Sequence, residues 1–183
     1  NGSIISSAIK LDIFKAQAGG TITTSAGKIF LVAFVPTGEQ VISIRVSGSG
    51  GEKNVSWQWV PEKSITPRIT YGRAKPEKYN YVDNPSPLIK DTSGFNICRQ
   101  PLLNGGAYTT AWKQQDSTLI IAVGYGPAPQ DGSTNEAIGH LENFRKKNFG
   151  DVISTHKLWW SDYFKKSFIA VPDARMQRYY WLE

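Results

Sequence analysis

The chain has 183 residues, 40% of them apolar and 20% charged, which is enough core-forming material to exclude a disordered chain and sets an expectation of one domain with an extension. The net charge is +6, but the basic residues are scattered and form no stripe that would track a phosphate backbone, so nucleic acid is not an expected partner. Cys98 is the only cysteine, which excludes an internal disulfide, and no apolar run approaches the roughly 18 residues needed to span a membrane.

The first third reads as β. Ile9, Leu11 and Ile13 alternate with Lys10 and Asp12, the period-2 pattern of a half-buried strand. Gly19-Gly20 interrupts it, and β-branched Thr21 to Thr24 follow as a second strand, turned at Ser25-Ala26-Gly27. Lys28 to Val35 is an apolar strand stopped by Pro36-Thr37-Gly38, and Val41 to Val46 is the next. Gly48 to Gly51 reads as a flexible turn, after which Val55, Trp57 and Trp59 share one face of a further strand.

Residues 61–91 break this rhythm. Pro61, Pro67, Pro76, Pro85 and Pro87 punctuate the stretch, with Tyr71, Tyr79 and Tyr81 among them, and it reads as a long irregular excursion holding one short strand. Strands resume at Gly94–Arg99, Ala107–Lys113 and Ser117–Gly124, the last with a buried apolar run from Leu119 to Val123.

At Gly126-Pro127 the pattern becomes helical. Ser133 and Glu136 form a capping-box spacing, with Ala137, Leu141, Phe144 and Asn148 on one face and Gly150 as the C-cap. Asp151 then caps a helix carrying Trp159, Trp160, Tyr163, Phe164 and Phe168. Pro172 opens a third through Met176, Tyr179, Tyr180 and Leu182, whose apolar side has nothing after it to cover it. The expected fold class is therefore mainly β, an antiparallel β-sandwich followed by a C-terminal helical linker.

Catalytic signatures are sparse. His140, His156 and Cys98 lack the tight spacing of a metal site, so no metal or cofactor is expected. There is no G-x-S-x-G, and Gly48 to Gly51 lacks the Lys-Ser/Thr of a phosphate loop. The acids Glu136, Glu142, Asp151, Asp162 and Asp173 sit on or at the ends of helices, where solvation or capping accounts for them. No carboxylate pair of the kind that cleaves glycosides stands out in the β region. Trp57 and Trp59 are read either as core or as a sugar platform, because sugar C–H faces stack on aromatic rings, and Tyr79 and Tyr81 are loop candidates for the same contact. Asn54-Val55-Ser56 fits the glycosylation sequon.

One stretch carries a resemblance. His156 through Phe164, then Ser167-Phe168-Ile169-Ala170-Val171-Pro172-Asp173 and Arg178-Tyr179-Tyr180, looks like the linker that joins an N-terminal β-supersandwich to an (α/α)6 barrel in bacterial glycoside hydrolases. The similar families are glycoside hydrolase families 65 and 95. Leu11-Asp12-Ile13, Gly20 to Thr24, Val41 to Ile44 and Gln100 to Tyr108 resemble their sandwich strands more loosely. The resemblance implies a sandwich over residues 1–128, a helical linker over 129–171 and the first barrel helix over 172–183. It also implies a non-catalytic N-terminal domain, inactive alone, whose partner is the barrel of the same polypeptide. The parent enzyme would cleave oligo- or polysaccharides by inversion, with its carboxylates beyond Glu183 and a periplasmic or extracellular home. A free-standing carbohydrate-binding module is the alternative. A sugar epimerase would need a His and Glu pair in the β region, and both histidines fall in the helical part.

Overall fold

A computed structural model describes the chain except residues 63, 67, 68, 70, 73–75, 129–131, 167, 168 and 183, and except the side chains at 76, 79, 181 and 182. Pro67 and Phe168, named above, therefore lie outside the described residues, as do the side chains of Tyr79 and Leu182. The fold is mainly β with C-terminal helices, as the pattern predicts. It divides into two compact units, residues 1–55 with 146–183, and residues 56–145.

The first unit is an antiparallel meander of β1 (Ile4–Asp12), β2 (Gln17–Thr24), β3 (Gly27–Phe34) and β4 (Val41–Gly50). β4 runs further than expected, to Gly50, which pairs with Gly27. The glycines that read as a flexible turn thus form the end of a ladder. The turn follows at Gly50-Gly51, where the Gly51 amide donates to the Ala26 carbonyl at 2.8 Å. Two helices complete the unit, α2 (Phe149–Lys166) and α3 (Ala174–Leu182), which follow helix α1 (Ser133–Arg145) of the second unit along the chain.

α2 is anchored by His156, which is 1% exposed. Its Nδ1 lies 3.2 Å from the Thr37 amide and 3.0 Å from the Thr37 hydroxyl, and its Nε2 lies 2.9 Å from the Lys15 carbonyl. An amide can only donate and a carbonyl can only accept, so the proton sits on Nε2 and Nδ1 accepts. The Phe34 ring lies beneath, 4.9 Å from His156 and 6.2 Å from Phe149, and the Arg45 guanidinium sits 4.2 Å over Phe149.

The second unit is another antiparallel meander: β5 (Leu88–Thr92), β6 (Phe95–Pro101), β7 (Ala107–Gln115) and β8 (Thr118–Gly126). The single strand expected in the irregular stretch is β5. Gly94, expected inside the next strand, instead turns the β5–β6 hairpin with Ser93; both have positive φ (53° and 72°), the type I′ geometry of a two-residue loop. Across one face lies α1 (Ser133–Arg145), whose Ala137, Leu141 and Phe144 are buried with Phe95, Ile97, Ala107 and Ala111. Gly124 permits the close approach: a β-carbon there would collide with the Ser133 carbonyl and meet the Ala137 nitrogen at 2.7 Å. The Thr109 and Ser133 hydroxyls are 2.8 Å apart, and the Tyr125 amide donates to Glu136 at 2.6 Å.

The ends of α2 and α3 differ from expectation. Gly150 and Asp151 are inside the first turn of α2, so Gly150 is not a C-cap and Asp151 is not the N-cap; Asn148 is the N-cap, its Oδ1 accepting from the amides of Gly150 (2.8 Å) and Asp151 (3.2 Å). Asp173, not Pro172, stands at the head of α3, accepting from the amides of Arg175 and Met176 at 2.8 and 3.1 Å. In both cases a short polar side chain satisfies amides that the first helical turn leaves without partners.

Candidate glycan-contact face

Alternation along β7 sorts its side chains between two faces. Ala107, Thr109 and Ala111 are buried beneath α1, so Tyr108, Thr110 and Trp112 point away from the helix. The register carries this face onto both neighbours: Tyr108 pairs with Tyr125, Thr110 with Val123 and Trp112 with Ile121 on β8, while Gln100 and Asn96 on β6 pair with Tyr108 and Trp112.

Two aromatic pairs result. The Tyr108 and Tyr125 rings are 4.8 Å apart at 32°, and both remain nearly half exposed, at 47% and 45%. Trp59 reaches this face from outside the sheet and stacks on Trp112, at 4.9 Å and 21°. Val123, exposed, lies between the pairs in register.

The four residues singled out from the sequence fare differently. The strand expected to carry Trp57 and Trp59 does not form: residues 53–60 are irregular. Alternation alone cannot make a strand, since the backbone also needs a ladder partner, and this segment pairs with no strand among the described residues. Trp59 nonetheless joins the aromatic face. Trp57 is partly exposed in the irregular segment, and no ring partner of it is seen among the described residues. Tyr79 closes a short 3-10 turn, Pro76–Tyr79, and Tyr81 is half-buried just beyond it.

Sequence reasoning missed Trp112, Tyr108 and Tyr125. The signal was present: the hairpin folds at Asp116-Ser117, and reflecting β7 through that turn sets Tyr108 opposite Tyr125. What was missing was the exact turn position, because a shift of one residue moves every side chain to the other face.

Irregular chain borders the same face at the end of β6. Asn84 Nδ2 donates to the Ser64 carbonyl at 3.1 Å, and Asn84 Oδ1 accepts from the Leu103 amide at 3.0 Å. Gln100 Nε2 donates to the carbonyls of Pro85 at 2.7 Å and Pro101 at 2.8 Å.

Other chemistry is thin. Among the described residues no group of three His, Cys, Asp or Glu side chains is arranged to hold a metal ion, and no helix is long and apolar enough to cross a membrane. Cys98 is buried in β6. His140 lies 4.0 Å from Glu136, one helical turn away on α1. The Glu52 carboxyl is driven far below its ordinary value, to about 2, and it is held by the Thr24 hydroxyl (2.7 Å), the Gly2 amide (2.8 Å) and the Asn1 amino group (3.0 Å). Those partners are structural, and the group is only 6% exposed. No protein-family model and no curated protein sequence matches this chain.

Proposed function

We propose that this chain is a non-catalytic, glycan-contacting domain that works beside the barrel of a glycoside hydrolase, with the sheet face opposite α1 as its sugar contact. The observation that carries the reading is the pair of aromatic clusters, Tyr108–Tyr125 and Trp59–Trp112, on a face left open to solvent. Aromatic rings present flat apolar surface at low conformational cost, while the tyrosine hydroxyls and the amides of Gln100 and Asn96 supply hydrogen bonds at the rim. Sugars, with apolar C–H faces and a polar edge, have the complementary chemistry.

The accessory role and the export to the periplasm or cell exterior rest on the linker resemblance at His156–Asp173. The exposed apolar side chains there, Leu158, Trp159 and Tyr163, and Met176 on α3 are compatible with a covering partner. A free-standing carbohydrate-binding module would use the same face.

Titration calorimetry against a panel of oligosaccharides tests the reading. Binding is expected without hydrolysis, and it is expected to persist as salt rises, unlike binding to a polyanion. Tyr108→Ala and Trp59→Ala should each cost about 1–3 kcal/mol, the worth of one stacked base on an aromatic platform. Unchanged affinity in both variants sinks the assignment of the face, and hydrolysis by this chain sinks its non-catalytic character.

A further inference from the structure

A cleft of about 160 Å³ lies where the irregular chain meets β6, walled by Ser64, Asp83, Asn84, Pro85, Ser86 and Gln100 among others. Its amide groups are fixed by the hydrogen bonds to Ser64, Leu103, Pro85 and Pro101 given above. Two carbonyls occupy the two Nε2 hydrogens of Gln100, which leaves Gln100 Oε1 to accept. Asp83 is exposed, and its carboxylate has no hydrogen-bond partner among the described residues. The Ser86 hydroxyl can donate or accept. The unspent capacity of the cleft is thus mainly that of an acceptor, with one negative charge.

A complementary ligand brings several O–H donors and no negative charge. Hydroxyls donating to a carboxylate form charge-assisted hydrogen bonds, about twice as strong as neutral ones. A uronate or other acidic sugar would set its own carboxylate against Asp83. The register also ties the cleft to the aromatic face: Gln100 pairs directly with Tyr108, which brings their Cβ atoms to about 4.5–5.5 Å on the same side of the sheet.

We propose that this cleft takes one unit of a neutral glycan through Asp83 and Gln100, while the adjoining sugar ring lies on Tyr108 and Tyr125. The proposal rests on the glycan-contact reading above and adds the charge class and the hydroxyl-binding residues.

The test titrates the chain with neutral tetrasaccharides of glucose, mannose, galactose and xylose, and with tetragalacturonate. Asp83→Asn and Tyr108→Ala are compared with the parent, after thermal unfolding confirms that each folds. A neutral tetrasaccharide is expected to bind, Asp83→Asn to weaken it about tenfold, and tetragalacturonate to bind at least tenfold more weakly than the neutral sugar. If Tyr108→Ala weakens neutral binding while Asp83→Asn stays within twofold, or if tetragalacturonate binds equally well, the cleft proposal fails and the aromatic face stands. If no tetrasaccharide binds, both fall.

Discussion

At the scale of single residues, the carboxylate of Glu52 ties residues 1 and 2 to the β2–β3 turn. The Thr24 hydroxyl that donates to it also accepts the amides of Ala26 and Gly27, both at 3.1 Å, so one residue shapes the β2–β3 turn and tethers Glu52. These donors favour the ionised form and lower the carboxyl from 4.5 to about 2. A depressed value means that the stabilisation is fully present above about pH 4.5 and is lost as the pH falls toward 2. Glu52→Gln should therefore lower the urea midpoint at pH 7, and the gap to the parent should close between pH 4.5 and 2. A gap that stays constant over that range would remove the charge from the explanation. His156 belongs to the same scale. Both its ring nitrogens are committed to backbone partners, which makes it an anchor for α2 and gives it no free nitrogen for chemistry.

At the scale of elements, the β7–β8 hairpin and α1 decide where a ligand can sit. α1 covers one face because Gly124 and the alternating small residues Ala107, Thr109 and Ala111 let a helix approach closely. Tyr108, Trp112 and Tyr125 are thereby directed to the other face. Gly124→Ala should push α1 off the sheet and cost about 1–3 kcal/mol, as overpacking of a filled core does. Chemical denaturation would measure it, and a variant as stable as the parent would mean that the helix can shift freely. Strand order and helix order were legible in the sequence because period-2 and period-3.6 patterns are local. The caps were not: Asn148 took the N-cap place expected of Asp151, and Asp173 stands at the helix start where Pro172 was expected, because any short polar residue near a helix start competes for the same unpaired amides. The Trp57–Trp59 strand was misread for a related reason, since alternation describes side chains but not the availability of a partner ladder.

At the scale of the whole molecule, the chain forms two units with different continuity. Residues 56–145 are contiguous and contain their own helix-on-sheet core, with Phe95, Ile97, Leu141 and Phe144 nearly or fully buried. The other unit is split, since α2 returns from the far end of the chain to set His156 and Phe149 against Phe34. Residues 56–145 expressed alone should thus unfold cooperatively and keep the glycan contact, whereas residues 1–55 alone should not unfold cooperatively. Circular dichroism melts of the two pieces check this; a non-cooperative melt of 56–145 would show that its core does not suffice. The sequence by itself determined the class of the fold: antiparallel strands first, helices last. Only the tertiary structure decided which aromatics meet, bringing Trp59 onto Trp112, Tyr108 onto Tyr125 and Gln100 beside Tyr108. Hydrophobic period assigns a residue to one of two faces, but register and the placement of α1 determine which face is buried and which is left for a ligand.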